Sequence, residues 1–359
     1  MSFQFTCPHC FQNMDCKDEW RGQTAVCPCC GNEISLSPTP SKGTNPAART
    51  STPEPEPPQP RRGHPFIKGF FFIVLLAAAG AGGYVLASKL IAEKQFQQGL
   101  GYYEKADFKK AAKYYQKAAD LGDAKAQCNL AQCYANGEGV EQDYKKAVKY
   151  YRKAAAQGNA EAQYSLGMCF YTGEGVEQNF KEAAKWFRRA STRKNPKAQY
   201  NLGVCYANGE GVRQDEAEAV KWYLKAAGQG FAPAQCNLGV CYWNGQGTEQ
   251  NDEEAAKWFS KAAEQGYATA QQKLGGCYFN GRGVEQSNVE AAKWYLSAAE
   301  QEFAPAQLTI AIFYAGGIGV KKNKAEAIKW ARLAYDNPDS DERDKQQAGE
   351  LLKGLGETL

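Results

Sequence analysis

Thirteen cysteines fall into two groups, and both could do chemistry. Six lie within residues 7–30 of MSFQFTCPHCFQNMDCKDEWRGQTAVCPCCGNEISL. Cys7 and Cys10 form one C-x2-C pair, Cys27 and Cys30 form a second, and 16 residues separate the pairs. Tetrahedral zinc takes four ligands, and two tight knuckles from opposite sides of a hairpin supply them. Phe3 and Phe5 alternate before the first pair, and Ile34 and Leu36 after the second, as strand residues do. So short a segment buries too little apolar surface to fold alone, so the metal is expected to hold it. We expect a small β zinc ribbon over residues 1–36, with structural Zn2+ on Cys7, Cys10, Cys27 and Cys30. Cys16, Cys29 and His9 stay open as substitute ligands. Asp15, Asp18, Glu19 and Glu33 outnumber Lys17 and Arg21, and four thiolates add negative charge, so the expected partner is not nucleic acid.

The second group is periodic. Cys133, Cys169, Cys205, Cys241 and Cys277 recur every 36 residues, in stretches such as NLGVCYANGEGV and NLGVCYWNGQGT. Such a column could be a metal site, a disulfide ladder, a set of nucleophiles or a core position. A nucleophile needs a base. The chain has two histidines, His9 and His64, and neither lies in this region. Ser191 and Lys194 have Ser-x-x-Lys spacing but no companion motif. No catalytic residue is expected. Equivalent helices of adjacent repeats stack roughly 9–10 Å apart, and a disulfide needs Cα atoms within about 7 Å. The same distance opposes zinc. Cys128 with Cys133, and Cys236 with Cys241, lie five apart on one helix and point away from each other. Packing remains.

Other columns share the 36-residue register. Leu130, Leu166, Leu202, Leu238 and Leu274 lead to Ile310, and Gly137 and Gly139 each begin a six-membered glycine column. Tyr150 is followed by Trp186, Trp222, Trp258, Trp294 and Trp330. In each unit A-x-x-L-G-x-C-Y forms one apolar helical face, N-G-x-G-V breaks the helix, and K-A-x-K-W-Y-x-K-A-A forms a second helix. A lone pair of helices cannot bury these faces, but stacked pairs can, so we expect an all-α, right-handed α-solenoid.

The pattern A-x-x-x-L-G-x-x-Y-x-x-G-x-G-V…A-x-x-W-x-x-K-A-A-x-x-G resembles the Sel-1-like repeat, a subfamily of the tetratricopeptide-type helical repeats. The resemblance covers six units over 123–338. Residues 91–122 lack the G-x-G-V insert and look like a shorter tetratricopeptide unit, and 339–359 read as a capping helix. In the tetratricopeptide-type pattern the cysteine position takes a small residue between the two helices. The resemblance also implies that first-helix side chains line a concave face. That stripe is aromatic with periodic amides, and Tyr164, Tyr171, Tyr200, Asn208, Trp243, Asn244, Phe279 and Asn280 are its candidate partner-binding residues. Rings give contact area and amides satisfy a peptide backbone.

Between ribbon and repeats, residues 37–65 are rich in proline, serine and threonine and read as an extended linker. GFFFIVLLAAAGAGGYVLAS, 69–88, has twenty uncharged residues, the length of a bilayer-spanning helix, so we expect one transmembrane helix within 66–90. Charge bias and the reduced thiols of the ribbon favour a cytoplasmic N-terminus and extracytoplasmic repeats. Ala78 with Gly82, and Ala79 with Gly83, could pair two such helices in a dimer. Residues 91–359 carry 35 basic and 33 acidic side chains, which excludes a broadly basic nucleic-acid surface. The expectation is a membrane-anchored, non-catalytic scaffold that binds a protein or peptide in its groove. The alternatives are a cell-envelope enzyme and a zinc- or redox-responsive regulator acting through the ribbon.

Overall fold

The computed structural model describes residues 2–6, 13–17, 24–26, 33–35 and 80–358, with side chains from 86 to 358. The chain divides into two units, Met1–Pro65 and Phe66–Leu359. In the first, β1 (Ser2–Thr6) pairs antiparallel with β2 (Asn13–Lys17), setting Phe3 opposite Cys16 and Phe5 opposite Met14. Separately, β3 (Thr24–Val26) pairs antiparallel with β4 (Glu33–Ser35), setting Ala25 opposite Ile34. Cys7, Cys10, Cys27, Cys30, His9 and Cys29 lie outside the described residues, as does the linker.

The second unit is a solenoid of helix pairs. Its helices are α1 (Gly80–Tyr103), α2 (Phe108–Asp120), α3 (Ala124–Asn136), α4 (Tyr144–Ala156), α5 (Ala160–Thr172), α6 (Phe180–Thr192), α7 (Pro196–Asn208) and α8 (Glu216–Ala227). They continue through α9 (Ala232–Asn244), α10 (Asp252–Glu264), α11 (Ala268–Asn280), α12 (Asn288–Ala299), α13 (Ala304–Gly316), α14 (Lys324–Asp336) and α15 (Glu342–Gly354).

The membrane expectation is corrected. Among the described residues no helix is long and apolar enough to cross a membrane. The helix that contains the end of the expected span is α1, and it runs on through Lys89, Glu93 and Lys94. Its later turns bury Ala92 and Phe96 in the solenoid, with Phe96 5.9 Å from the Tyr115 ring. Charge and solenoid packing set this helix apart from a lipid-facing one, and the single-pass topology is set aside with it. Gly82 and Gly83 lie in α1, and Ala78 and Ala79 lie outside the described residues.

Local chemistry starts and stops each helix. Asp143, Asn179, Asp215 and Asn251 cap α4, α6, α8 and α10, each accepting from a backbone N–H of the first turn. Gly137 and its equivalents end the first helix of each pair in the left-handed conformation, at φ 73° for Gly137. The second glycine has another reason. A Cβ at Gly211 would lie 2.1 Å from the Phe180 carbonyl oxygen of the preceding unit, and one at Gly283 would lie 2.0 Å from that of Asp252. The G-x-G segment thus ends one helix and lets the loop touch the backbone of the previous pair.

The core is a row of inward columns. Leu166, Leu202, Leu238 and Ile310 have no exposed surface. The cysteines fill the space expected of a small hydrophobe: all seven beyond residue 91 are buried free thiols. Burial pushes the thiols of Cys205 and Cys277 up to about 12 and those of Cys133, Cys169 and Cys241 up to about 11. At neutral pH they are thiols, not thiolates, and thus poor nucleophiles and poor metal ligands. In the last unit Phe313 takes the place, also buried.

Candidate protein-binding groove

The first helices of successive pairs, α3, α5, α7, α9, α11 and α13, carry the stripe singled out from the sequence. Its aromatic members are half-buried and its asparagines are exposed. Trp243 stands at the end of α9, 5.9 Å from the Phe259 ring of α10. The Arg282 guanidinium covers it at 3.9 Å and donates from Nη2 to the Trp243 carbonyl at 2.8 Å. Asp252 holds that arginine at 2.8 Å, and the pairing keeps the Asp252 carboxyl below its ordinary value. Asn280 donates to the Gly276 carbonyl at 2.9 Å, and Asn244 to Gln246 Oε1 at 3.1 Å. Neither amide oxygen has a hydrogen-bond partner among the described residues, so both remain acceptors for a ligand.

These residues meet at a hollow of about 290 Å³ between α9, α10, α11 and α12. Trp243, Phe259 and Tyr295 give it aromatic walls, Asn244, Asn280 and Gln272 supply amides, and Lys273 is charged. A second hollow of about 220 Å³ adjoins it one repeat earlier, where Asn208, Tyr223 and Asn237 meet, and the two share Val240. So Trp243, Asn244 and Asn280 come together, with Asn208 in the neighbouring hollow.

The other four expected residues line neither hollow. Tyr164 packs 6.0 Å from Phe187, with Lys197 above it at 5.7 Å. Tyr171 meets Phe180 edge-on at 5.3 Å and donates its hydroxyl to Glu210 Oε2 of the next pair at 2.7 Å. Burial, then the hydrogen bond to Glu210, pushes that phenol up to about 12. Tyr200 sits between Tyr223 and Phe231, and Phe279 packs against Phe313 at 5.3 Å. These rings tie one repeat to the next.

Two sets of residues escaped the sequence reading. Phe259 and Tyr295 reach the groove from second helices, on a column that begins Tyr115, Tyr151, Phe187 and Tyr223. Its signal was the aromatic that follows Trp186, Trp222, Trp258 and Trp294 at 36-residue spacing. The other set is a buried glutamine column, Gln127, Gln163, Gln199, Gln235, Gln271 and Gln307. Gln235 donates to the Ala227 carbonyl at 3.2 Å and accepts from Gln265 at 2.6 Å. Gln271 does the same with Ala263 and Gln301. Gln127, Gln199, Gln235 and Gln271 thus clasp the turn behind to the turn ahead, whereas Gln163 bonds only backward and Gln307 only forward.

Elsewhere the chemistry is structural. Ser191 donates its hydroxyl to the Arg188 carbonyl at 2.8 Å, and Lys194 lies in a left-handed turn at φ 61°. Among the described residues no group of His, Cys, Asp or Glu side chains is arranged to hold a metal ion.

Stacked helix pairs with an aromatic and amide stripe define a protein-interaction repeat. The Sel1 repeat pattern matches seven successive stretches, 94–123, 124–159, 160–195, 196–231, 232–267, 268–303 and 304–339, and the chain belongs to the Sel1 repeat family. The first stretch is the unit read from the sequence as a shorter tetratricopeptide repeat. Two solved structures share the fold. A Sel1 repeat protein from Oxalobacter formigenes is 32% identical with a TM-score of 0.64, covering 67% of this chain and 98% of that one. A protective antigen of uropathogenic Escherichia coli strains, displaying an SLR fold, is 30% identical with a TM-score of 0.61 over 74% of this chain. The match covers 61% of the antigen's own length. No curated protein matches the chain.

Proposed function

We propose that the protein is a non-catalytic scaffold that holds an extended segment of a partner protein along the groove from α7 to α12. The observation that carries this is the pair of adjoining hollows, which gather rings and outward-facing amides on one stripe. An extended peptide offers what such a stripe can use: side chains for the hollows and backbone N–H groups for the amide oxygens. The repeats' free cysteines are buried and protonated, which leaves no activated nucleophile among them. The test is selection of peptides from a random displayed library on the full chain. Selected peptides should lose about tenfold in affinity when Asn208→Ala, Asn244→Ala and Asn280→Ala are combined, because exposed amides can be removed without loss of fold. Peptides indifferent to this triple change would place binding elsewhere.

The N-terminal unit is proposed to be a zinc ribbon. What supports it is that segments 7–12 and 27–32, each with one C-x2-C pair, connect the two antiparallel strand pairs. A zinc there would serve as a structural cross-link, with Cys7, Cys10, Cys27 and Cys30 as its thiolates. Metal analysis of the purified chain should find about one zinc, falling to none when Cys7 and Cys30 are replaced by serine.

A further inference from the structure

The groove column two places after the buried leucine reads Gln132, Met168, Val204, Val240, Gly276 and Ile312. Only at Gly276 is there no side chain, and there the larger hollow opens. A Cβ at Gly276 would meet a single group within 4 Å, the Tyr295 hydroxyl at 3.5 Å, so that hydroxyl borders the gap. Tyr295 is 7% exposed. Near its counterparts Tyr115, Tyr151 and Tyr223 stand Asn129, Ser165 and Asn237, polar side chains that favour the ionised phenol. The matching residue for Tyr295 is Thr309, whose hydroxyl donates to the Pro305 carbonyl instead, at 2.7 Å. The Tyr295 hydroxyl therefore has no partner among the described residues. Beside it Gln272 Oε1 is buried and also unpartnered. Buried polar groups are normally paired, and a buried orphan oxygen beside a free hydroxyl at the hollow's edge points to a ligand that pairs both.

The charge at the hollow adds a second constraint. Lys273 is exposed and has no ion pair among the described residues, whereas Asn129, Ser165, Asn201, Asn237 and Thr309 stand at its place in the other repeats. The volume, about 290 Å³, lies just under the range of about 300–1,000 Å³ typical of whole small-molecule sites. It suits one side chain of a larger partner. We propose that this hollow takes a tyrosine side chain of the partner peptide, with an acidic residue beside it at Lys273. The phenol donates to Gln272 Oε1 and accepts from the Tyr295 hydroxyl, and its ring lies among Trp243 and Phe259. This rests on the groove reading above and names the chemistry of its anchor.

The test uses the full chain labelled with fluorotryptophan, whose seven tryptophans give a resolvable fluorine NMR spectrum. The probes are the capped dipeptides glutamyl-tyrosine, glutamyl-phenylalanine and lysyl-tyrosine. Glutamyl-tyrosine should shift the Trp243 resonance saturably. The phenylalanine probe should bind about thirtyfold more weakly, as loss of two hydrogen bonds requires. The lysyl probe should also bind more weakly, and Lys273→Thr should erase its difference from the glutamyl one. Gly276→Val should remove the Trp243 shift while leaving the melting temperature unchanged or raised, since valine occupies this place in two other repeats and favours helix over glycine. Gly276→Ala should weaken binding in the same direction with less demand on space. A missing saturable shift, a phenylalanine probe that binds as tightly, or full binding in folded Gly276→Val would overturn the proposal. Library peptides that need the groove asparagines yet bind Gly276→Val normally would overturn this pocket and leave the groove reading standing.

Discussion

Replacing Gln235 by alanine should destabilise the solenoid more than the same change at Gln163. Both residues are buried, at 5% and 6% exposure, and both donate to the turn behind them, at 3.2 Å to Ala227 and 3.1 Å to Ala155. They differ at the other end of the amide. Gln235 Oε1 accepts from Gln265 at 2.6 Å, whereas Gln163 Oε1 has no partner, because Arg193 stands where the other repeats carry Gln or Asn. Each hydrogen bond is worth about 0.5–1.5 kcal/mol net, and a buried carbonyl left unpaired costs about 1–3 kcal/mol. Gln235→Ala removes two bonds, for about 1–3 kcal/mol, while the Ala227 carbonyl keeps its bond from the Gly230 N–H at 3.0 Å. Gln163→Ala removes one bond and an orphan acceptor that the native chain already carries, so it should cost about 1 kcal/mol less. The converse change, Arg193→Gln, should stabilise by about 1 kcal/mol by giving Gln163 its missing donor. The assay is urea unfolding followed by far-ultraviolet circular dichroism, with the slope checked because repeat arrays can lose cooperativity. Equal costs at Gln163 and Gln235, or a destabilising Arg193→Gln, would refute the clasp as a source of inter-repeat stability.

Three further outcomes are expected. Gly211→Ala should cost several times more than Gly230→Ala: both glycines have positive φ, at 69° and 84°, but only at Gly211 would the Cβ meet backbone, at 2.1 Å, while Gly230 faces open space. Left-handed strain alone is worth about 1–2 kcal/mol, so Gly230→Ala should stay near that in urea unfolding. The buried thiols have folded pKa values of about 11–12 against an ordinary 9.0, so their stabilising contribution is complete below about pH 9. It should be lost as pH rises from about 9 towards 12, seen as a falling urea midpoint, and alkylation of the seven repeat cysteines at pH 8 should wait on unfolding. If the proposed zinc is bound, its chelation should expose Cys7, Cys10, Cys27 and Cys30 to alkylation while the helical circular-dichroism signal is kept.

The helix pairs were legible because their signals are local. Apolar spacing defines each face, and Gly137 and its equivalents mark each helix end by their own backbone conformation. The cysteine column was legible by elimination, and its burial follows the same logic. The second glycine was visible as a column but not as a contact, because its reason is the Phe180 or Asp252 backbone of the preceding repeat. The glutamine clasp was visible at 36-residue spacing too, yet a buried amide and a surface amide look alike in a sequence. Segment 69–88 misled because its apolar run was weighed alone. The buried Ala92 and Phe96, four residues and more beyond it, tie α1 to the solenoid. In the groove the ring positions were legible, but not which rings stay open. Tyr171 and Tyr200 find neighbours in the next repeat, and Trp243 borders a hollow only because Gly276 lacks a side chain.

The stripe on α7, α9 and α11 is proposed to hold a partner's extended segment. The most direct measurement is hydrogen–deuterium exchange of the full chain with and without a selected library peptide at saturation. Slowed exchange is expected to concentrate in α7, α9 and α11 and at the segment around Gly276, with little change in α8, α10 and α12. Protection confined to those second helices, or spread evenly along the solenoid, would contradict it.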